Sequence, residues 1–162
     1  MADPAERYDS RLDTHQHINI VRRYLKRVAF RLLNRAEVHD ASKLDEPELS
    51  VFDEFTPKLR DSTYGSDEYK EFLARMGEGL QHHYAANDHH PEHFENGIAD
   101  MGLLELTEML CDWLAATQRH ADGDIRRSIE QNSVRFGYGE EIKRLLLNTL
   151  PDLADPPSQK VL

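Results

Sequence analysis

The sequence has one cysteine, Cys111, among its 162 residues. A single cysteine excludes an intramolecular disulfide and a cysteine-rich zinc site. Basic residues are also scarce relative to acidic ones, with 20 Lys and Arg against 30 Asp and Glu and a net charge of -10. Because nucleic acids and anionic membranes are bound through basic surfaces, this balance argues against both as partners.

Long apolar runs are missing as well. The N-terminus carries no apolar segment of the kind found in signal peptides, and no stretch approaches the roughly 20 apolar residues that cross a bilayer. We therefore expect a cytoplasmic protein. The length predicts one domain with a core of its own, and 39% hydrophobic with 31% charged residues are typical of a soluble globular chain.

No segment alternates apolar and polar residues as a strand would, whereas apolar residues recur at helical spacing in every long segment. This pattern predicts an all-α fold, a single bundle of six to seven helices within residues 13–150. Flexible segments are expected before it, at 1–12, and after it, at 151–162. The predicted helices cover residues 14–33, 35–42, 45–55, 66–86, 103–120, 124–136 and 140–150.

Histidine is abundant, with nine residues, and one of them begins the most informative string of the chain. His39 is followed directly by Asp40, and Lys43 comes three residues later. Imidazole and carboxylate are both metal ligands, and the lysine could hold a phosphate that the metal polarises. An isolated His-Asp pair usually lies on a solvated loop, so this interpretation depends on the residues around it.

Further candidate ligands lie on other predicted elements. His17 falls at the edge of the apolar stripe of the first helix, where a histidine is more often part of the core than a ligand. A helical wheel of residues 66–86 places His83 on the inner face and His82 on the opposite one. The loop after this helix is unusually rich in histidine, which has no turn propensity of its own. Its histidines are His89, His90 and His93.

The predicted helix at 103–120 is apolar around most of its circumference, as is typical of a helix at the centre of a fold. Its narrow polar strip consists of Glu105, Glu108, Asp112 and Arg119. The strip faces either water or a polar site inside the protein. We take Asp112 as the preferred ligand, with Glu108, one turn earlier, as an alternative ligand or a base, and Asp100 as the next alternative.

The order of these residues resembles the HD superfamily of metal-dependent phosphohydrolases. Members have a histidine on the first helix, a His-Asp pair on the second and an aspartate on a later helix. The string His39-Asp40-Ala41-Ser42-Lys43 is similar to the family's His-Asp-x-x-Lys signature, whose lysine commonly contacts phosphate. Histidines between the pair and the last aspartate are similar to those of HD members with two or three metals. No Gly-Tyr-Pro follows them, which argues against a cyclic-dinucleotide phosphodiesterase.

A closer resemblance covers nearly the whole chain. It is to a family of small HD-like proteins of bacteria and their phages, for which no reaction is established. The matching motifs are Thr14-x-x-His17, His39-Asp40-x-Ser42-Lys43, the block from His82-His83 to Asn87-x-His89-His90-Pro91-Glu92, and Glu108-Met109-x-Cys111-Asp112-Trp113.

The HD resemblance implies a phosphohydrolase with one or two divalent ions. The donor types do not distinguish Zn, Mn, Fe, Mg, Ni and Co. One ion would be held by His17, His39, Asp40 and Asp112, and a second by His83 with His89 or His90. Lys43, assisted by Arg119 or Arg126, would neutralise the charge of a nucleotide or another small phosphate ester.

Two other functions remain open from the sequence. The same ligands suit a di-iron oxygenase on an HD-like scaffold, and they also suit a binding module without catalysis that sequesters a nucleotide or holds a structural metal. Metal content and phosphatase activity would distinguish the three.

Overall fold

The computed structural model describes residues 8–63, 65–119 and 123–153. Over these residues it contains six α-helices and no strand, which confirms the predicted all-α fold. None of the described helices is long and apolar enough to cross a membrane. The helices are α1 (Arg11–Val38), α2 (Glu48–Asp61), α3 (Asp67–Ala86), α4 (Leu103–Thr117), α5 (Ile125–Phe136) and α6 (Glu140–Leu153).

The chain forms two compact units, residues 1–37 and 38–162, and the prediction of a single domain stays a prediction. The helix of the first unit's described part is α1, which runs without a break from Arg11 to Val38. The predicted end near Leu33 and the separate helix at 35–42 are therefore wrong. No Gly or Pro lies between residues 33 and 38, and Ala36 and Glu37 are good helix formers, so nothing there ends the helix.

In the second unit, α2 and α3 pack closely together. A Cβ atom at Gly79 of α3 would lie 2.7 Å from Cγ2 of Val51 in α2, so only glycine fits at this crossing. Gly77 has a φ of 50° and kinks α3. The helical wheel of residues 66–86 assumes one straight helix and therefore did not predict this kink.

The bounds of α2 also differ from the prediction. The helix begins at Glu48 instead of Asp45, and it continues through Pro57 to Asp61. Proline lacks an N–H and so removes one backbone hydrogen bond. The burial of Phe55 and an ion pair between Glu54 and Lys58 stabilise the turns on either side of Pro57.

The main core of the second unit lies around α4, whose Leu106, Met109 and Leu110 are buried. Ile129 of α5 and Leu146 of α6 pack against them. As expected from the sequence, α4 is the central helix of this core.

The ends of the last helices fit their sequence signals. Asp124 caps α5 by accepting hydrogen bonds from the backbone N–H groups of Arg126 and Arg127, and Gly137, with a φ of 68°, ends it. Helix α6 continues through Pro151 to Leu153, which corrects the predicted end at residue 150. The rest of the predicted tail, 154–162, and residues 1–7 of the predicted N-terminal segment lie outside the described residues.

The close crossing of α2 and α3 yields a stability prediction. Gly79→Ala should lower the free energy of unfolding by about 1–2 kcal/mol, because overpacking against Val51 outweighs the gain in helix propensity. Urea denaturation measures this change. In a Val51→Ala background, which removes two of the three close contacts, the penalty should shrink. An equal penalty in both backgrounds would contradict the close crossing.

Candidate metal centre

The backbone turns sharply at the His-Asp pair. After α1 ends at Val38, Asp40 adopts a left-handed conformation with φ 56° and ψ 14°, and a short 3₁₀ helix, Ala41–Leu44, follows. Aspartate is one of the few residues other than glycine that visit this conformation readily. The turn brings Lys43 back onto the pair, with Nζ 2.6 Å from Oδ2 of Asp40.

The end of α3 is tied to this turn by Asn87. Its side-chain Nδ2 donates hydrogen bonds to the carbonyl oxygen of His83, at 2.9 Å, and to Oγ of Ser42, at 2.8 Å. The loop that follows carries His89, which is 2% exposed, and the partly buried His90. His93 in contrast is exposed and faces the carbonyl oxygen of Tyr84.

Four side-chain atoms from these segments converge, and we call them site A. Oδ1 of Asp40 lies 3.5 Å from Nε2 of His83 and 3.5 Å from Nε2 of His89. Nε2 of His90 lies 2.8 Å from Nε2 of His83, and one ligand atom from each of the four residues lies within 4.8 Å of the others. Oδ1 of Asp40 and Nε2 of His89 are buried without a hydrogen-bond partner in the described part of the chain.

The spacing in site A fits a metal ion. Atoms that bind an ion at about 2.1 Å lie about 3.0 Å apart in an octahedron and about 3.4 Å apart in a tetrahedron. The two 3.5 Å distances from Asp40 are at this scale and are long for hydrogen bonds. Burying a polar atom without a hydrogen-bond partner costs free energy. A cation at the centre of site A would contact both atoms that have no such partner, Oδ1 of Asp40 and Nε2 of His89.

The electrostatics of site A also suit a cation. Burial lowers the pKa of His83 and of His89. Burial, followed by the nearby His89 and His83, lowers the pKa of His90 to about 2. Burial alone would raise the pKa of Asp40, but Lys43 and the neighbouring histidines outweigh it and hold that pKa below its ordinary value. Site A therefore combines neutral imidazoles with an ionised carboxylate.

Two further carboxylates contact the opposite ring nitrogens of the histidines. Oε2 of Glu48 lies 2.9 Å from Nδ1 of His83. Oε1 of Glu108 lies 2.8 Å from Nδ1 of His39 and 3.2 Å from Nδ1 of His89. A carboxylate that accepts from Nδ1–H leaves Nε2 unprotonated, which is how metal-binding histidines are commonly oriented.

The other oxygen of Asp40 belongs to a second group, which we call site B. Nε2 of His39 lies 3.6 Å from Oδ2 of Asp40 and 3.9 Å from Oδ1 of Asp112. These residues also offer ligand atoms within 4.8 Å of one another. Asp40 thus presents one oxygen to each site, as a carboxylate that bridges two cations would.

A cleft of about 880 Å³ opens beside the sites, between α2, α4 and α5. Asp40 and Lys43 lie at its wall, together with Phe52 and Trp113. Its lining includes four cationic side chains, those of Lys43, Arg60, Arg119 and Arg127.

Most residues predicted to form the site come together in the second unit. His39, Asp40, His83, His89, His90 and Asp112 all contribute to site A or site B. The sequence left open whether His89 or His90 is a ligand, and the structure places both in site A. His17 lies on α1 in the first unit, and its role as a ligand stays a prediction.

The predicted catalytic residues have separate positions. Lys43 contacts Asp40, and Arg119 lines the cleft just after α4 ends. Glu108 contacts two histidines, so its position fits an acceptor that orients them, while its role as a base stays a prediction.

Sequence reasoning missed Glu48. A glutamate near the start of a helix is typical of a cap, whereas the side chain of Glu48 is 0% exposed and contacts His82, His83 and Ser42. Burial would raise the pKa of Glu48, but hydrogen bonds from those three residues outweigh it and lower that pKa. A charged residue that lies at an apolar position of α2 was the available signal.

The two adjacent histidines of α3 give a sharp test of site A. His83→Ala removes a ligand atom and should weaken Zn²⁺ binding by at least about 100-fold. His82 is half exposed and lies outside both sites, so His82→Ala should change the affinity by less than about threefold. Competition with a chromophoric chelator measures both. The opposite ranking would show that site A is wrong.

Comparison with known proteins gives a match to a protein family. The model of a family of unknown function, DUF5662, matches residues 6–155. No curated protein and no solved structure matches the chain. Because the match spans nearly the whole sequence, both sites included, the chain belongs to the DUF5662 family.

Proposed function

We propose that the protein is a metal-dependent phosphohydrolase of the HD type, which acts on a nucleotide or another small phosphate ester. The observation that carries the proposal is the pair of buried, unpartnered atoms in site A, Oδ1 of Asp40 and Nε2 of His89. They point at the same place as two further imidazole nitrogens, beside a cleft with cationic walls.

Site A would hold one divalent ion through Asp40, His83, His89 and His90. Site B would hold a second through His39, Asp40 and Asp112. Bound divalent ions lower the pKa of water and stabilise the charge that develops on a phosphoryl group during hydrolysis. Asp40 would contribute to both sites, since Oδ1 faces His83 and His89 and Oδ2 faces His39.

Lys43 would bind the phosphate of the substrate. Its ammonium group contacts Asp40 and lies 4.7 Å from the centre of the Phe52 ring, so its stem lies along the cleft wall. A lysine side chain carries a mobile point charge. It would release Asp40 when a cation takes its place there, and turn to the oxygens of a phosphate in the cleft.

The cleft suits a substrate of nucleotide size. Its volume of about 880 Å³ lies within the range of roughly 300–1,000 Å³ that is usual for small-molecule sites. Phe52, Tyr69 and Trp113 provide flat apolar surface for a base or a sugar. Arg119 and Arg127 make no ion pair within the described residues and would attract phosphate oxygens.

The first test combines metal analysis with a substrate screen. We expect purified protein to contain one to two divalent ions per chain and to release phosphate from at least one nucleotide or sugar phosphate. Removal of the metal by a chelator should abolish this activity, and re-addition should restore it. Two irons with oxygen consumption and no phosphatase activity would favour the oxygenase. Tight nucleotide binding without turnover in any divalent metal would favour a binding module.

Aspartate variants test the two sites separately. Asp40→Asn should lose both ions and nearly all hydrolysis, since it replaces the shared charged ligand by a neutral one of equal size. Asp112→Asn should keep the ion of site A, lose that of site B, and lower kcat by about 100-fold or more. Asp53→Asn is the matched control, because Asp53 lines the cleft and belongs to neither site. Full metal occupancy in Asp40→Asn would refute the proposal.

A further inference from the structure

Glu48 is a buried carboxylate that the proposed chemistry does not use. Its side chain is 0% exposed, and a buried charge is costly unless its oxygens are paired. Oε1 lies 2.7 Å from Nδ1 of His82, while Oε2 accepts from Oγ of Ser42 at 3.0 Å and faces Nδ1 of His83 at 2.9 Å. Both oxygens are thus fully paired, and one of them faces a residue of site A.

The hydrogens around His83 can be assigned by counting donors. Nδ2 of Asn87 has two hydrogens, and it lies within hydrogen-bond distance of three acceptors: the carbonyl oxygen of His83, Oγ of Ser42 and Nδ1 of His83. The first two contacts, at 2.9 Å and 2.8 Å, use both hydrogens. No hydrogen of Asn87 is then left for the third contact, to Nδ1 of His83 at 3.0 Å.

The carboxylate of Glu48 determines which ring nitrogen of His83 carries the hydrogen. If Nδ1 of His83 carried a lone pair, that lone pair would face a carboxylate oxygen of Glu48 at 2.9 Å, which is repulsive. If Nδ1 carries the hydrogen, it donates a charge-assisted bond to the same oxygen. The single ring hydrogen of neutral His83 therefore lies on Nδ1, and Nε2 presents its lone pair to site A.

We propose that Glu48 is a positioning residue, which holds His83 in the tautomer that can bind a cation at site A. The inference rests on the proposed metal site and names a residue that sets its affinity. Without the carboxylate, Asn87 would donate to Nδ1 of His83, and the ring hydrogen would move to Nε2. It would then point at Oδ1 of Asp40 and Nε2 of His90, where it blocks the cation.

The experiment uses the full-length chain and two readouts. The ¹⁵N shifts of the His83 ring in metal-free protein report its tautomer, and chelator competition reports the affinity for Zn²⁺. The wild type should show His83 protonated on Nδ1. Glu48→Leu should move the proton to Nε2 and weaken Zn²⁺ binding by about 100-fold, at the upper end of the range for partners of ligating histidines.

Two further variants make the test specific. Glu48→Gln can still present an oxygen to His83, so it should keep the tautomer and weaken Zn²⁺ binding by about tenfold. Glu46→Gln is the matched control, because Glu46 is exposed and accepts a hydrogen bond from Oγ of Ser50 instead of contacting a histidine. It should leave both readouts unchanged. If Glu48→Leu does not fold, the wild-type tautomer and the Glu48→Gln affinity still decide.

The results distinguish failure of the role of Glu48 from failure of the proposed function. A wild-type His83 protonated on Nε2 in a protein that binds Zn²⁺ would overturn the role of Glu48 alone, as would an unchanged affinity in Glu48→Gln. A protein in which His83 is protonated on Nδ1 but which binds none of the divalent metals would overturn both the positioning role and the proposed function.

Discussion

The site depends on the carboxylate of Asp40. Its two oxygens face different partners: Oδ1 faces His83 and His89, and Oδ2 faces Lys43 and His39. This division is possible because the backbone of Asp40 is left-handed, directly after α1 ends. A helical Asp40 would continue α1 and present one face only. The break in the helix and the bridging position of the carboxylate are therefore a single structural feature.

Charge balance explains why this arrangement would suit a cation. Asp40, Glu48, Glu108 and Asp112 lie around the histidines of sites A and B. Burial lowers the pKa values of His83, His89 and His90, so these rings contribute no positive charge. Lys43 is the cation in contact with Asp40 in the described structure. Negative charge in a partly buried site is unfavourable unless it is balanced, and divalent ions bound at sites A and B would balance it.

The sequence allowed the fold class and most residues of sites A and B to be predicted, because both depend on local patterns. Helical spacing indicates the helices, and the His-Asp string and the histidine-rich loop indicate the residues that come together in the two sites. The bounds of the helices were less predictable: α1 continues past Leu33 because no residue there breaks it, and the kink at Gly77 depends on one glycine whose conformation a pattern does not encode.

The carboxylates that contact the site histidines could not be predicted from the sequence, for a different reason. Glu48 contacts His82 across 34 residues of sequence, and Glu108 contacts His39 across 69. Periodicity shows which face of a helix is apolar, but it does not show which side chain of another helix meets that face. A buried glutamate at a helix start looks like a cap until its neighbours in space are known.

The net negative charge of the chain limits how strongly the cleft can attract an anion. A protein with a net charge of -10 repels phosphate at long range, yet Lys43, Arg60, Arg119 and Arg127 line one cleft. Asp40, Asp53 and Asp124 share that lining and offset much of their charge. The arginines can therefore orient an anionic substrate but supply little net attraction. Under the proposed function, that attraction would have to come from divalent ions at sites A and B, and binding of a phosphate ester would be coupled to binding of the metal.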